Sequence, residues 1–283
     1  MTDFGNPRAL VASDWLFDHL QDPHIRILDV DEDTDAFLRG HIPGAVGVHW
    51  RDDLQAPVAR DFIDPRAFAA LMDRFGITPE TTVVLYGGNK NWFAAYAYWY
   101  FRYYSHERVQ LLDGGRRKWE VEGRPLVTEA TRPIPSKGYP IPVGNDEIRA
   151  YRDQVAKDYV GRPGTGLVDV RSPEEYSGAR IAPDHLPSEG AQRGGHIPGA
   201  RNIPWSKAVD AELETFLDFD RLSSIYQAEG LTADKEIVAY CRIGERSAHT
   251  WFVLSELLGY PRVRNYDGSW TEWGSLVKAP IER

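Results

Sequence analysis

The chain of 283 residues contains one cysteine, Cys241, followed by Arg242-Ile243-Gly244-Glu245-Arg246-Ser247. A lone cysteine is by default a small buried hydrophobe, so its surroundings must argue for more. The apolar run 237–240 before it reads as a buried strand, and a helix is expected from about Arg246. Cys241 therefore falls at a strand–loop–helix junction. The N–H groups of a curled loop and of a first helical turn converge on one point and form an anion cradle. Arg242 and Arg246 add cations, and Gly244 permits a turn that a side chain would obstruct. Such surroundings favour an exposed, reactive thiolate. A single cysteine also excludes an intramolecular disulfide and a thiolate-rich metal site, and no metal or cofactor is expected.

A cysteine phosphatase needs five residues between its cysteine and an arginine that grips phosphate through two parallel hydrogen bonds. Here four residues separate Cys241 from Arg246, and the shorter loop suits a single sulfur atom better. Other titratable residues invite structural readings. His41 and His196 both stand in a Pro-Gly turn before a strand, where a turn hydrogen bond explains them better than proton transfer. Asp29 and Asp169 end strands and read as structural. Lys90 reads as a solvated lysine, and His249 carries no assignment. The stretch 91–101 is apolar nearly all round, as in a helix buried between a sheet and a neighbouring domain.

The elements that position Cys241 occur twice. His41-Ile42-Pro43-Gly44-Ala45 returns as His196-Ile197-Pro198-Gly199-Ala200, 155 positions later, and 83–86 returns as 237–240 at an offset of 154. Asp29 parallels Asp169 at an offset of 140, so the second half carries about fifteen extra residues before His196. That inserted stretch holds Pro173, Pro183, Pro187 and four glycines, as a loop would. Strands are expected at 25–30, 83–86 and 109–112, and again at 167–170, 237–240 and 263–266. Helices are expected at 65–75, 92–104, 220–229 and 246–258. Strand–helix alternation predicts an α/β fold. Each of two similar domains should be a mainly parallel sheet with helices on both faces and its site beyond the carboxyl ends of the strands. The expected boundaries are a first domain at 1–125, a proline-rich linker at 126–145, and a catalytic domain at 146–283. Gly87 stands where the second half has Cys241, so the first domain should be catalytically silent.

A net charge of -9 argues against a nucleic-acid partner. No stretch approaches the ~20 apolar residues of a membrane span. The first fourteen residues lack a basic patch followed by an apolar run, so a cytoplasmic protein is expected.

The segment 37–48, the segment 263–273 and the Cys-Arg-Ile-Gly-Glu-Arg loop together resemble the rhodanese family of sulfurtransferases, in its tandem-domain thiosulfate sulfurtransferase form. The resemblance covers residues 8–280. It implies that Cys241 takes the outer sulfur of thiosulfate as a persulfide, releases sulfite, and passes the sulfur to cyanide, a thiol or a protein acceptor. It places the donor among Arg242, Ile243, Gly244, Glu245, Arg246 and Ser247. Some members hold the donor with an arginine where this chain has Glu175, which leaves Arg180 and Arg193 as candidates for that role. The alternatives are 3-mercaptopyruvate sulfurtransferase, cysteine phosphatase and a non-catalytic binding module.

Overall fold

The computed structural model describes residues 4–129, 131–183 and 190–283. Pro187, part of the expected inserted loop, lies outside them. The chain divides into two compact units, each built on a parallel sheet.

In the unit formed by the first half, β1 (Leu10–Val11), β2 (Ile25–Val30), β3 (Val46–Val48), β4 (Thr82–Tyr86) and β5 (Val109–Leu112) make a five-stranded sheet of order β1-β5-β4-β2-β3. In the other, β6 (Thr165–Asp169), β7 (Arg201–Asn202), β8 (Glu236–Tyr240) and β9 (Val263–Tyr266) make a four-stranded sheet of order β7-β6-β8-β9. All pairings are parallel, and the central pair has the same register in both: Asp29 faces Tyr86, and Asp169 faces Tyr240. Every strand expected from the apolar runs is present to within two residues. β1 had no such signal, because two residues paired to one edge leave no periodicity to read.

The duplicated sequence produces duplicated local physics. Asp64 caps the helix Pro65–Arg74 by accepting from the Arg66 and Ala67 N–H groups, and Asp218 caps Phe219–Gln227 by accepting from Arg221 N–H. The Tyr86 hydroxyl accepts from Ile42 N–H at 3.0 Å, and the Tyr240 hydroxyl accepts from Ile197 N–H at the same distance. Trp119 and Trp273 each donate their indole N–H to a proline carbonyl, Pro125 and Pro280, at 2.9 Å. These pairs satisfy the polar tips of large core aromatics that would otherwise be buried at a cost.

The helix Trp92–Tyr103 buries every residue from Trp92 to Phe101. Within its own unit it packs against Trp50, Phe62 and Phe68, with Trp50–Phe93 and Phe62–Trp99 centroids 4.8 and 5.3 Å apart. The helix Glu245–Phe252 widens into π-turns over Val253–Leu257.

The units depart from the expected domain boundaries in three places. Residues 126–145 belong with the first-half sheet. Their extended backbone is tied down there, with Asp73 Oδ1 accepting from Tyr139 N–H at 3.1 Å and Tyr103 O accepting from Asn145 N–H at 2.8 Å. Residues 209–216 join the same unit, where Asp113 accepts from Phe216 N–H at 2.9 Å. At the N-terminus, Gly5 and Asn6 donate to Leu257 O and Glu256 O and so belong with the second-half sheet. Composition marks a proline-rich strap but not which sheet it lies on.

Candidate active site

Cys241 is the first residue beyond β8, and the helix Glu245–Phe252 begins four residues later. The loop between them is pinned on both sides. Ser269 Oγ accepts from Cys241 N–H at 3.1 Å, and Cys241 O and Arg242 O accept from Trp270 and Thr271 N–H at 3.0 Å. Inside this frame the chain curls until Gly244 N–H points back at Cys241 Sγ, 3.1 Å away. Gly244 has φ +108°, and a Cβ there would sit 2.7 Å from the Cα and Cβ of Asp267. Only glycine fits this approach. Asp267 is itself held by Arg149, whose Nη2 donates to Oδ2 at 2.8 Å.

Cys241 is fully buried. The expected exposure of the thiol is therefore not met, and within the loop Ile243 is the partly exposed residue. Arg242, Gly244, Glu245, Arg246 and Ser247 are buried with it.

The two arginines differ. Arg246 is committed to Glu175: Nη1 and Nη2 donate to the two carboxylate oxygens, each at 2.9 Å. Burial opposes both charges, yet the pair and the neighbouring Cys241 raise the Arg246 pKa above its ordinary value. Glu175 is held below the usual carboxylate range, because its bond to Arg246 outweighs its own desolvation. The helix Pro173–Ser177 that carries Glu175 is fixed by a capping box with Ser172. Glu175 thus acts as a counter-ion, a role that its 71-residue separation from Arg246 hides in the sequence. Arg180 and Arg193 are both exposed. Arg193 donates to Gln192 O, and together with Lys278 and Arg283 it lines a cavity of about 690 Å³.

The remaining candidates have structural partners. His41 stacks on Phe37 at 3.8 Å with Nδ1 on Phe37 O, and His196 stacks on Tyr176 at 3.6 Å with Nδ1 on Tyr176 O. Asp169 is buried against Arg171, whose Nη2 donates to Oδ2 at 2.5 Å. Asp29 is buried against Arg116 at 2.6 Å. Lys90 pairs with Glu214 at 3.5 Å rather than standing in solvent. His249 is buried edge-on to Trp205, and burial lowers its pKa to about 3. It is neutral near pH 7 and cannot serve there as an acid. Sequence reasoning missed Ser269 and Asn265, which touch the loop from β9 and the turn after it. Only the tertiary fold brings them there.

Among the described residues, no group of three or more His, Cys, Asp or Glu could hold a metal ion, and no helix is long and apolar enough to cross a membrane.

Comparison with known proteins agrees with this arrangement. The Rhodanese-like domain profile matches twice, over residues 12–122 and 153–276. The chain is 53% identical over 282 residues to "Sulfur carrier protein TtuD" of Thermus thermophilus, covering 99% of this chain and 98% of that protein. It is 55% identical over 275 residues to a "Putative thiosulfate sulfurtransferase" of Mycobacterium tuberculosis, covering 97% of each. Among solved structures it is similar to an EanB variant carrying a cysteine persulfide, in a tetrahedral intermediate state with ergothioneine. That likeness has a TM-score of 0.86 and 25% identity, and covers 100% of this chain and 72% of the other. Two copies of the domain and relatives matched along nearly their whole length identify this chain as a member of the rhodanese-domain sulfurtransferase family.

Proposed function

We propose that this protein is a thiosulfate sulfurtransferase that carries sulfur as a Cys241 persulfide. The observation that carries the reading is the Gly244 N–H aimed at Cys241 Sγ beside the Arg246 cation. This is a preorganised setting for a sulfur anion. The Cys241 thiolate attacks the outer sulfur of thiosulfate, the S–S bond of the donor breaks, and its electron pair leaves with sulfite. The outer sulfur stays on Cys241 as a persulfide anion. Cyanide, a thiol or a protein thiolate then attacks that sulfur, and Cys241 leaves as thiolate. Splitting the transfer in two gives ping-pong kinetics.

Arg242, the cation that directly follows Cys241 in the loop, is assigned to the donor's sulfonate. Ile243 forms the rim by which a donor enters. Gly244, Glu245, Arg246 and Ser247 shape the cradle, while Arg180 and Arg193 are secondary candidates for the donor. The relatives named as a sulfur carrier and a thiosulfate sulfurtransferase, and the neighbour with a cysteine persulfide, support the same chemistry. A cytoplasmic setting suits a single unpaired thiol, which a reducing compartment keeps available.

The phosphatase reading loses further ground, because the Nη1/Nη2 edge of Arg246 is taken by Glu175. The nearest alternative is 3-mercaptopyruvate as donor. Steady-state rates with each donor against cyanide separate the two readings. Parallel double-reciprocal lines and a higher kcat/KM with thiosulfate are expected; preference for 3-mercaptopyruvate would replace the donor assignment.

A further inference from the structure

Behind the loop lies a polar relay that starts in the sheet and ends at Gly244, the residue whose N–H faces the sulfur. Asn265, on β9, is fully buried. Its backbone is fixed, since its N–H donates to Ile148 O and its carbonyl accepts from Ala150 N–H, both at 2.9 Å. Its side chain reaches Gly244 O, to which Nδ2 donates at 3.0 Å. Ser247 Oγ lies 2.6 Å from Asn265 Oδ1 and 3.1 Å from Gly244 O. The hydroxyl has one proton, so the shorter contact takes it, and Oδ1 accepts. The amide orientation then follows, because only Nδ2 can face a carbonyl. Ala248 N–H also donates to Gly244 O at 3.0 Å. The Gly244 carbonyl is thus tied to helix and sheet while the N–H of the same residue points at Cys241 Sγ.

The first-half unit supplies the control. At the positions offset by 154 from Cys241, Ser247, Asn265 and Ser269 stand Gly87, Phe93, Leu111 and Gly115. The nucleophile and every polar side chain of the relay are absent together, although strands and register are kept. A purely structural amide would have no reason to follow the cysteine.

From this we infer that Asn265 is a positioning residue, which, with Ser247, orients Gly244 so that its N–H stabilises the Cys241 thiolate. The inference rests on the sulfur-transfer reading for its kinetic consequence. Negative charge on Sγ is lost during loading, when it passes to the outer sulfur. It returns during discharge, when Sγ is the leaving group. A misaimed N–H therefore hurts discharge more than loading, because only interactions that strengthen toward the transition state accelerate a step.

The test uses the full-length protein with Asn265→Leu, the residue of the silent unit, and follows loading by thiosulfate, discharge by cyanide, and the pH profile of iodoacetamide alkylation. Discharge should slow about tenfold more than loading, and the midpoint of alkylation should move to higher pH. Equal slowing of both half-reactions with an unmoved alkylation profile would show a folding role only and overturn the inference. If Asn265→Leu does not fold, Ser247→Ala, which frees Asn265 Oδ1, is read in the same way: a shifted profile supports the relay and an unshifted one overturns it. Alkylation needs no sulfur donor. It therefore tests the relay even if the wild-type protein takes no sulfur from thiosulfate, a result that would remove the proposed function alone.

Discussion

At the end of β4 the chain runs Gly87-Gly88-Asn89-Lys90-Asn91, and at the end of β8 it runs Cys241-Arg242-Ile243-Gly244-Glu245. The same backbone bond anchors both, from Arg116 N–H to Gly87 O at 2.9 Å and from Trp270 N–H to Cys241 O at 3.0 Å. Beyond that anchor they part. In the first loop Asn91 Oδ1 accepts from Gly87 N–H, Asp31 from Gly88 N–H at 2.7 Å and Glu214 from Lys90 N–H at 2.8 Å. Its cradle is filled by the protein's own carboxylates. In the second, the position matching Asp31 is Arg171, and a loop N–H is aimed at a sulfur. The two loops thus share an anchor but not a curl: Asn89, Lys90 and Asn91 all have positive φ, whereas only Gly244 does in the second loop, and only the first has its N–H groups taken by the protein's own carboxylates. The space differs too: a Cβ at Gly87 would lie 2.2 Å from Val30 O, so the first loop has no room for a cysteine.

The comparison can be broken most forcefully at Glu175. Glu175→Ala leaves the buried Arg246 cation uncompensated, and a loss of about 3–5 kcal/mol is expected in denaturant titration. A change under 1 kcal/mol would mean that the pair is solvated and that Arg246 is available to the donor. A smaller effect is expected on grafting the nucleophile into the silent unit. Gly87→Cys should cost about 1–3 kcal/mol through overpacking, and after thiosulfate treatment the protein should still carry one added sulfur rather than two. A second persulfide would show that the silent loop lacks only its cysteine.

The smallest effect concerns pH. In the second-half unit, burial lowers His249 to about 3, and Glu175 is also lowered. The unfolded chain binds more protons than the folded one below pH 6.5 for the histidine and below about 4.5 for the carboxylate. Both groups therefore remove stability as the pH falls. In the first-half unit, burial lowers His106 to about 4 but raises Asp29 and Asp113 to about 6. The raised carboxylates favour the folded state as the pH falls from 6 to 4 and offset the histidine. Hydrogen exchange at pH 7 and pH 4.5, corrected for intrinsic rates, should show β6 and β8 losing more protection than β2 and β4. Equal loss would contradict this assignment of the titrating groups.

How much of this was legible depends on the range of the interaction. Strand ends, the helices expected at 65–75 and 220–229, and the place of Cys241 follow from runs of a few residues whose patterns occur twice. That Gly87 stands where the second half has Cys241 was legible because the repeat provides its own alignment. Contacts that cross the sheet were not legible. Glu175 read as a missing arginine rather than as the partner of Arg246, since sequence separation says nothing about which helix faces which loop. Asn265 lay inside a strand and read as one more buried residue. The burial of Cys241 also escaped notice, because residue types reveal a cradle but not how far it closes.

Intact mass of the full-length protein before and after thiosulfate tests the central claim most directly. The wild-type protein should gain the mass of one sulfur atom, lose it again to cyanide, and fail to gain it as Cys241→Ala. An unchanged wild-type mass, or the same gain in the Cys241→Ala variant, would contradict a persulfide at Cys241.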